Sequence, residues 1–295
     1  MKQRTKGNAF LLLAAAVWGC GLIAQKAGMS YLGPLTFTAI RCTLGGVMMF
    51  PLIYVLERNK SREERESAPK ETENLKGAFA CSIPLLSLIM FQQYGLPYTT
   101  AGKAGFITAL YILITPLIGM LLGKKVNKRL WVAVIVGLSG MYLMCLYTGL
   151  DSVNFGDMMM LLAAVACSAH LHVIDHFVAK CDPVKMSCYQ FIMVGVMCII
   201  PAILLEQTTW QAVTDCLIPI LYAGIFSCGV GYTLQIVGQK YTDPSVASLL
   251  LSTETVFTLL AGMIFFHEVL AIHEYIGCAM MFIAIIISQL PEKSK

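Results

Sequence analysis

Residues 244–266 read PSVASLLLSTETVFTLLAGMIFF, an apolar run with a single ionisable side chain, Glu254, near its middle. A helix crossing a hydrocarbon core of about 30 Å needs about 20 such residues. Working outward along the chain, nine further runs of this kind appear, at 8–30, 35–57, 76–96, 99–122, 130–148, 156–179, 184–205, 215–238 and 272–290. The whole sequence agrees with that reading. Of 295 residues, 57% are apolar and 13% charged, with a mean hydropathy of +0.72. A soluble domain carries about 25% charged residues, so most of this surface faces something other than water. The composition excludes a soluble enzyme, a disordered chain and a nucleic-acid binder.

The charges set the expected orientation. With the N-terminus inside, 18 of the 21 Lys and Arg fall on one face: three before the first run, six at 58–76, four at 124–129, then Lys180, Lys185, Lys240, Lys293 and Lys295. Lys76 and Lys185 sit at the very start of their runs on that face; only Lys26, Arg41 and Lys103 lie deeper within runs, and the opposite loops hold none. This is the positive-inside pattern, and it predicts ten spans with both termini cytoplasmic. The first run exceeds the 7–15 residues of a signal-peptide core and reads as a retained helix. Segment 58–75 reads as a solvated loop. The eleven cysteines are scattered singly, which predicts neither a disulfide framework nor a metal site.

The two halves echo each other. Tyr98-Thr99 and Gly119-Met120 recur 143 residues later as Tyr241-Thr242 and Gly262-Met263. Leu11-Leu12 and Ala14 recur as Leu161-Leu162 and Ala164, and Pro34 recurs as Pro183. A repeat of five spans enters the second half upside down, the inverted architecture of many secondary transporters. The expected fold is therefore all-α and integral to the membrane, ten transmembrane helices forming two inverted five-helix repeats, 1–150 and 151–295.

Particular motifs carry a resemblance. Trp18-Gly19, Lys26, Pro34 and Ala39-Ile40-Arg41 open the first half. Ala101-Gly102-Lys103-Ala104-Gly105-Phe106-Ile107-Thr108 with Thr115-Pro116 marks the fourth span, Phe155-Gly156-Asp157 precedes the sixth, and Ser252-Thr253-Glu254-Thr255 precedes His267-Glu268 by the usual spacing. In order and spacing these resemble the EamA-type ten-helix members of the drug/metabolite transporter superfamily along essentially the whole chain. Thr255, Lys103 and Lys124 depart from that pattern. The resemblance implies an exporter of small organic metabolites or drugs; the expected mechanism is alternating access with proton coupling and no cofactor, and the compact loops suit a bacterial plasma membrane. Uptake, uncoupled diffusion, a non-transporting sensor and an intramembrane enzyme are the competing readings.

Polar residues at bilayer depth mark cavities or partners. Glu254 fits a cation or coupling-proton site, or a structural hydrogen bond. His170 and His172 are candidate proton relays, whereas Asp175 and His176 fit simple solvation or pairing with Lys180. Trp18, Gln25, Arg41, Gln93, Tyr111, Thr115, Gln190 and Ser252 are candidates to line a substrate cavity, with Thr108, Tyr111 and Thr115 on one helical face. Arg41 is expected to be paired inside the bundle. Lys26 and Lys103 form an electropositive outer vestibule or snorkel to the interface. Gln190 and Gln235 read as isolated amides. Gly45-Gly46, Gly137 with Gly140, and Gly229 with Gly231 suit close helix packing, and Pro84, Pro116, Pro201 and Pro219 suit kinks. Enzyme signatures are thin: Gly137-Leu138-Ser139-Gly140 with His170 resembles a serine protease site, His267-Glu268 lacks the second metal ligand at Ala271, and His172 with His176 is too little for a di-iron site.

Overall fold

Helix starts are written by proline and a capping oxygen. Pro183 and Pro244 occupy first-turn positions, where a missing N–H costs nothing. Asp182 accepts from the amides of Val184 and Lys185 at 3.0 and 3.2 Å, and Asp243 accepts from Ser245 at 2.9 Å. Asn154 and Asp157 close a reciprocal capping box. Pro34 opens a helix after Gly33, which has no side chain to cap with. Glu206, far away in sequence, supplies it, accepting from Leu35 and Thr36 amides at 2.9 and 2.8 Å.

The computed structural model describes residues 2–99, 101–145, 154–257, 260 and 271–289, about 85% helical, with no strand among the described residues. Its helices are α1 (Lys2–Gly19), α2 (Gly21–Gly28), α3 (Pro34–Val47), α4 (Phe50–Asn59), α5 (Arg62–Glu66), α6 (Glu71–Gly95), α7 (Ala101–Ala109), α8 (Tyr111–Leu121), α9 (Lys128–Cys145), α10 (Phe155–Phe177), α11 (Pro183–Leu205), α12 (Trp210–Asp215), α13 (Leu217–Leu221), α14 (Tyr232–Gln239), α15 (Pro244–Leu251) and α16 (Ile272–Gln289). A π-helical stretch, Tyr222–Gly231, joins α13 to α14.

Seven columns among the described residues are long and apolar enough to cross a membrane: Gln3–Gly28, Pro34–Asn59, Glu71–Tyr98, Ala104–Leu121, Phe155–Phe177, Pro183–Leu205 and Leu217–Gln239. Tyr275–Ser288 adds a shorter apolar helix. The expected span 244–266 is described through Phe257 and at Leu260. Polarity is turned inside out, as a lipid solvent requires. Leu121 is 88% exposed and Leu205 76%, while Gln93, Thr115 and Gln190 have no accessible surface.

Several columns are interrupted where the expected spans are continuous: at Cys20, at Leu110, after Leu251, and through the π stretch that follows Pro219. α6, α8 and α11 carry Pro84, Pro116 and Pro201 without ending. Segment 58–75 is not simply loop. It contains α5, capped by Ser61 and Glu64, and is tied to the bundle by ion pairs from Lys60 to Glu57 and Asp182 at 2.7 and 3.3 Å. Lys185 reaches Glu57 and Glu71 from α11, so the ends of α4, α6 and α11 meet in one charged cluster. Near the same class of basic residues, Arg4, Lys124, Lys125, Arg129, Asp243 and Ser288 border a cavity of about 200 Å³. Chain segments far apart in sequence thus converge on shared ends of the bundle.

The helix contacts pair off. α3 packs on α11, and α9 on α16. α6 packs on α10 as α14 packs on α1, and α6 packs on α11 as the π stretch packs on α3. Individual atoms repeat the pattern. Thr242 donates to Asn8 Oδ1 at 3.0 Å, and Thr99 donates to Asp157 Oδ1 at 2.9 Å. Asn8 and Asp157 are 149 residues apart, Thr99 and Thr242 143 apart. A Cβ on Gly7 would meet Gly238 O at 2.9 Å, and one on Gly156 would meet Gly95 O at 2.8 Å. Gly46 faces Cys188 and Ile192, while Gly195 faces Ala39 and Thr43. Each of these contacts is made twice, with offsets of 149 in the first two spans of each half and 143 in the third. Pro34 and Pro183 already carry the offset of 149. The Leu11–Leu161 match is one residue off, since Leu11 packs at Gly238 as Met160 does at Gly95.

Candidate functional site

Tyr232, the first residue after the π stretch, packs among side chains from three other helices. Its ring lies 4.5 Å from Trp18, 5.0 Å from Phe191 and 6.1 Å from His170, centroid to centroid. The π stretch explains part of this. Its last i→i+5 bond runs from Tyr232 N–H to Ser227 O, and Trp18 Nε1 donates to the same carbonyl at 3.2 Å. A Cβ on Gly231 would stand 2.4 Å from Trp18 Nε1, so only glycine leaves room for the indole.

His170, 1% exposed, pairs Nε2 with Gln190 Oε1 at 3.2 Å. Gln190 is therefore not an isolated amide, and its Nε2 has no partner. Gln235 donates to Gln239 at 3.2 Å and Gln239 to Leu171 O, so that amide is chained as well. His172 turns the other way, its Nε2 2.9 Å from Thr115 O. Thr115 donates to Tyr111 O at 2.6 Å and lies 3.1 Å from Ser168 Oγ. Thr108, Tyr111 and Thr115 are all buried against α10, as their shared face predicts. Gln93 donates to Gln25 at 2.9 Å, joining α6 to α2.

Glu254 follows the interruption after Leu251, where Thr253 N bonds back to Leu250 O. Leu110 N bonds back to Ile107 O in the same way just before Tyr111. Tyr111 and Glu254 therefore stand at corresponding positions, 143 residues apart, and both are electrostatic neighbours of Tyr232. Ser252 is fully buried and donates to Leu249 O, its own helix.

Two expectations need correction. Asp175 pairs with Lys124 on the facing helix end, not with Lys180; adjacency in sequence suggested the nearer lysine, but His172 and Asp175 share the face turned to α8. His176 is exposed beside Phe177. Arg41 is 3% exposed yet forms no ion pair and no hydrogen bond among the described residues, its Nε buried without an acceptor. The protease pair does not assemble, since Ser139 donates to Ile135 O on its own helix while His170 holds Gln190. Lys26 is exposed at the end of α2. The side chain of Lys103, and His267-Glu268, lie outside the described residues. Tyr232 and Glu206 were not singled out by sequence reasoning. An aromatic within an apolar run looks like core, and a cap donated from 171 residues away leaves no local signal.

A protein-family model for EamA-like transporters matches the chain twice, over residues 5–146 and 154–290. An uncharacterized transporter of Archaeoglobus fulgidus is 27% identical over 98% of this chain and 87% of its own length. The uncharacterized transporter YwfM of Bacillus subtilis is 24% identical over 98% and 97%. A crystal structure of another protein superposes with a TM-score of 0.77 at 17% identity, covering 97% of this chain and 96% of that one, which shows a shared fold.

Proposed function

The chain belongs to the EamA-like transporter family, and from that premise we propose that it is a ten-span secondary carrier whose halves, 1–150 and 151–295, are inverted repeats. The observation carrying this reading is the duplicated contact set, in which the Thr242–Asn8 and Thr99–Asp157 hydrogen bonds and the Gly46 and Gly195 crossings recur at matched offsets. A pseudo-two-fold relation of this kind supports two states of similar energy. Rocking about the axis exchanges one set of contacts for its counterpart, exposing the centre alternately to each side.

The substrate is a small organic molecule bound at the centre. Trp18, Gln25, Arg41, Gln93, Tyr111, Thr115, Gln190 and Ser252 surround that site, with Tyr232 as its aromatic floor and Lys26 and Lys103 at the outer approach. The interruptions at Cys20 and Leu110 and after Leu251 allow half-helices to move while their neighbours hold them. Glu254 carries the coupling proton, with His170 and His172 as secondary relays, and transport runs outward. The protein sits in the cell membrane with both termini in the cytoplasm, where its basic loops lie.

Flux in proteoliposomes tests this. A panel of amino acids, nucleobases, organic cations and organic anions is followed with and without an imposed pH gradient. Gradient-driven movement that Glu254→Gln abolishes, with normal folding, supports proton coupling. Undiminished coupling in that variant rules Glu254 out, and movement of no solute overturns the carrier reading.

A further inference from the structure

We propose that Arg41 is an anion-recognition group, and that the ligands of the central site carry a single carboxylate. The assignment rests on the carrier reading for its location, and on Arg41 itself for its chemistry. A guanidinium offers five N–H donors in a planar fork. A buried structural arginine uses them, because an unpaired charge away from water is costly. Arg41 is 3% exposed and, among the described residues, none of its donors has a hydrogen-bonding or ion-pair partner. Cys42, Cys198, Cys228 and Tyr232 lie close enough to feel its charge.

Its position is nonetheless fixed. The guanidinium lies over the ring of Phe37, 5.4 Å from the centroid, and that ring is fully buried. The backbone cannot retreat, since a Cβ on Gly224 would meet Arg41 O at 2.9 Å and one on Gly45 would meet Gly224 O at 2.6 Å. A cation held rigidly with unused donors is preorganised for a planar anion that accepts two parallel bonds. One positive charge matches a carboxylate better than a dianionic phosphate. Its counterpart at the 149-residue offset, Gln190, also keeps a buried donor without a partner, a second polar group for the ligand's remaining oxygen atoms.

The test is thermal unfolding of the full chain in detergent. Acetate, benzoate and N-acetyl-leucine are each compared with their primary amides at equal ionic strength, with inorganic phosphate alongside. At least one acid is expected to raise the melting temperature by about 2 °C or more over its amide. Arg41→Met should lose that response and, freed of an unpaired buried charge, melt at or above the wild-type temperature without ligand. Arg41→Lys keeps the charge without the fork and should retain only part of the response. A lower melting temperature for unliganded Arg41→Met assigns Arg41 a structural partner and overturns the proposal. So does equal stabilisation by acids and amides, a response to phosphate alone, or an acid response that survives in Arg41→Met. Acid binding without flux of any acid would fault the carrier reading and leave the site standing.

Discussion

Gly195→Ala and Gly46→Ala probe the crossing of α3 and α11 from its two ends. A methyl at Gly195 would sit 2.2 Å from Thr43 Oγ1, 2.9 Å from Thr43 N and 3.2 Å from Ala39 O; one at Gly46 would sit 2.6 Å from Ile192 Cγ1, 3.0 Å from Cys188 O and 3.1 Å from Ile192 N. The side-chain atoms can rotate aside, and Thr43 Oγ1 has no hydrogen bond to lose. The backbone atoms cannot, so the helices must part by several tenths of an ångström. Overpacking of this sort costs about 1–3 kcal/mol, against a gain of up to about 1 kcal/mol for alanine over glycine in a helix. A net loss of about 1–2 kcal/mol for each variant corresponds to a melting temperature lower by about 2–6 °C in detergent. Both methyls spread the same helix pair, so the double variant should lose less than the sum of the singles. Gly229→Ala, whose nearest contacts lie at 3.6 Å, is the control and should be neutral or stabilising by up to about 1 kcal/mol. Unchanged melting in both single variants, or strict additivity in the double, would refute the close-packed crossing.

Other perturbations follow from the same structure. Glu206→Gln keeps the shape of the α3 cap but removes its charge, and should lower stability by about 1–2 kcal/mol, read by thermal unfolding. Lys124→Met breaks a half-exposed pair with Asp175 and should cost about 1 kcal/mol or less, with partial recovery when Lys124→Asp is combined with Asp175→Lys. At Lys60, burial pulls the pKa down, but Glu57 and Asp182 outweigh it and hold the amine above its ordinary value of 10.5. Stability from a raised lysine pKa is complete below the unfolded value and fades as pH rises through the folded one. Unfolding scans should therefore show an alkaline loss above about pH 10.5 that Lys60→Met lacks.

Much of the architecture was legible because lipid imposes it. Apolar length marks the seven long apolar columns without reference to any partner, and Tyr98 with Tyr241 and Pro34 with Pro183 carry both offsets openly. Leu11 with Leu161 misled by one position, because neighbouring apolar residues are interchangeable in composition though not in packing. Partners were harder than positions. Glu254, His170 and Gln190 stood out as polar groups at depth, yet that His170 would meet Gln190, or Asp175 Lys124, depends on which helices become neighbours. The helix interruptions were similarly hidden. Nothing local marks Leu110 or Thr253 as a break, whereas Gly224 and Gly231 in the π stretch are residues that permit close approach.

The account depends most on the two halves entering the membrane in opposite senses. Single cysteines introduced at Asn154, Gln207 and Ser67, labelled in intact cells with a membrane-impermeant maleimide, measure that directly. Asn154 and Gln207 should label from outside, and Ser67 only after the membrane is opened. Labelling of Ser67 in intact cells, with Asn154 and Gln207 protected, would contradict the topology and the inverted arrangement built on it.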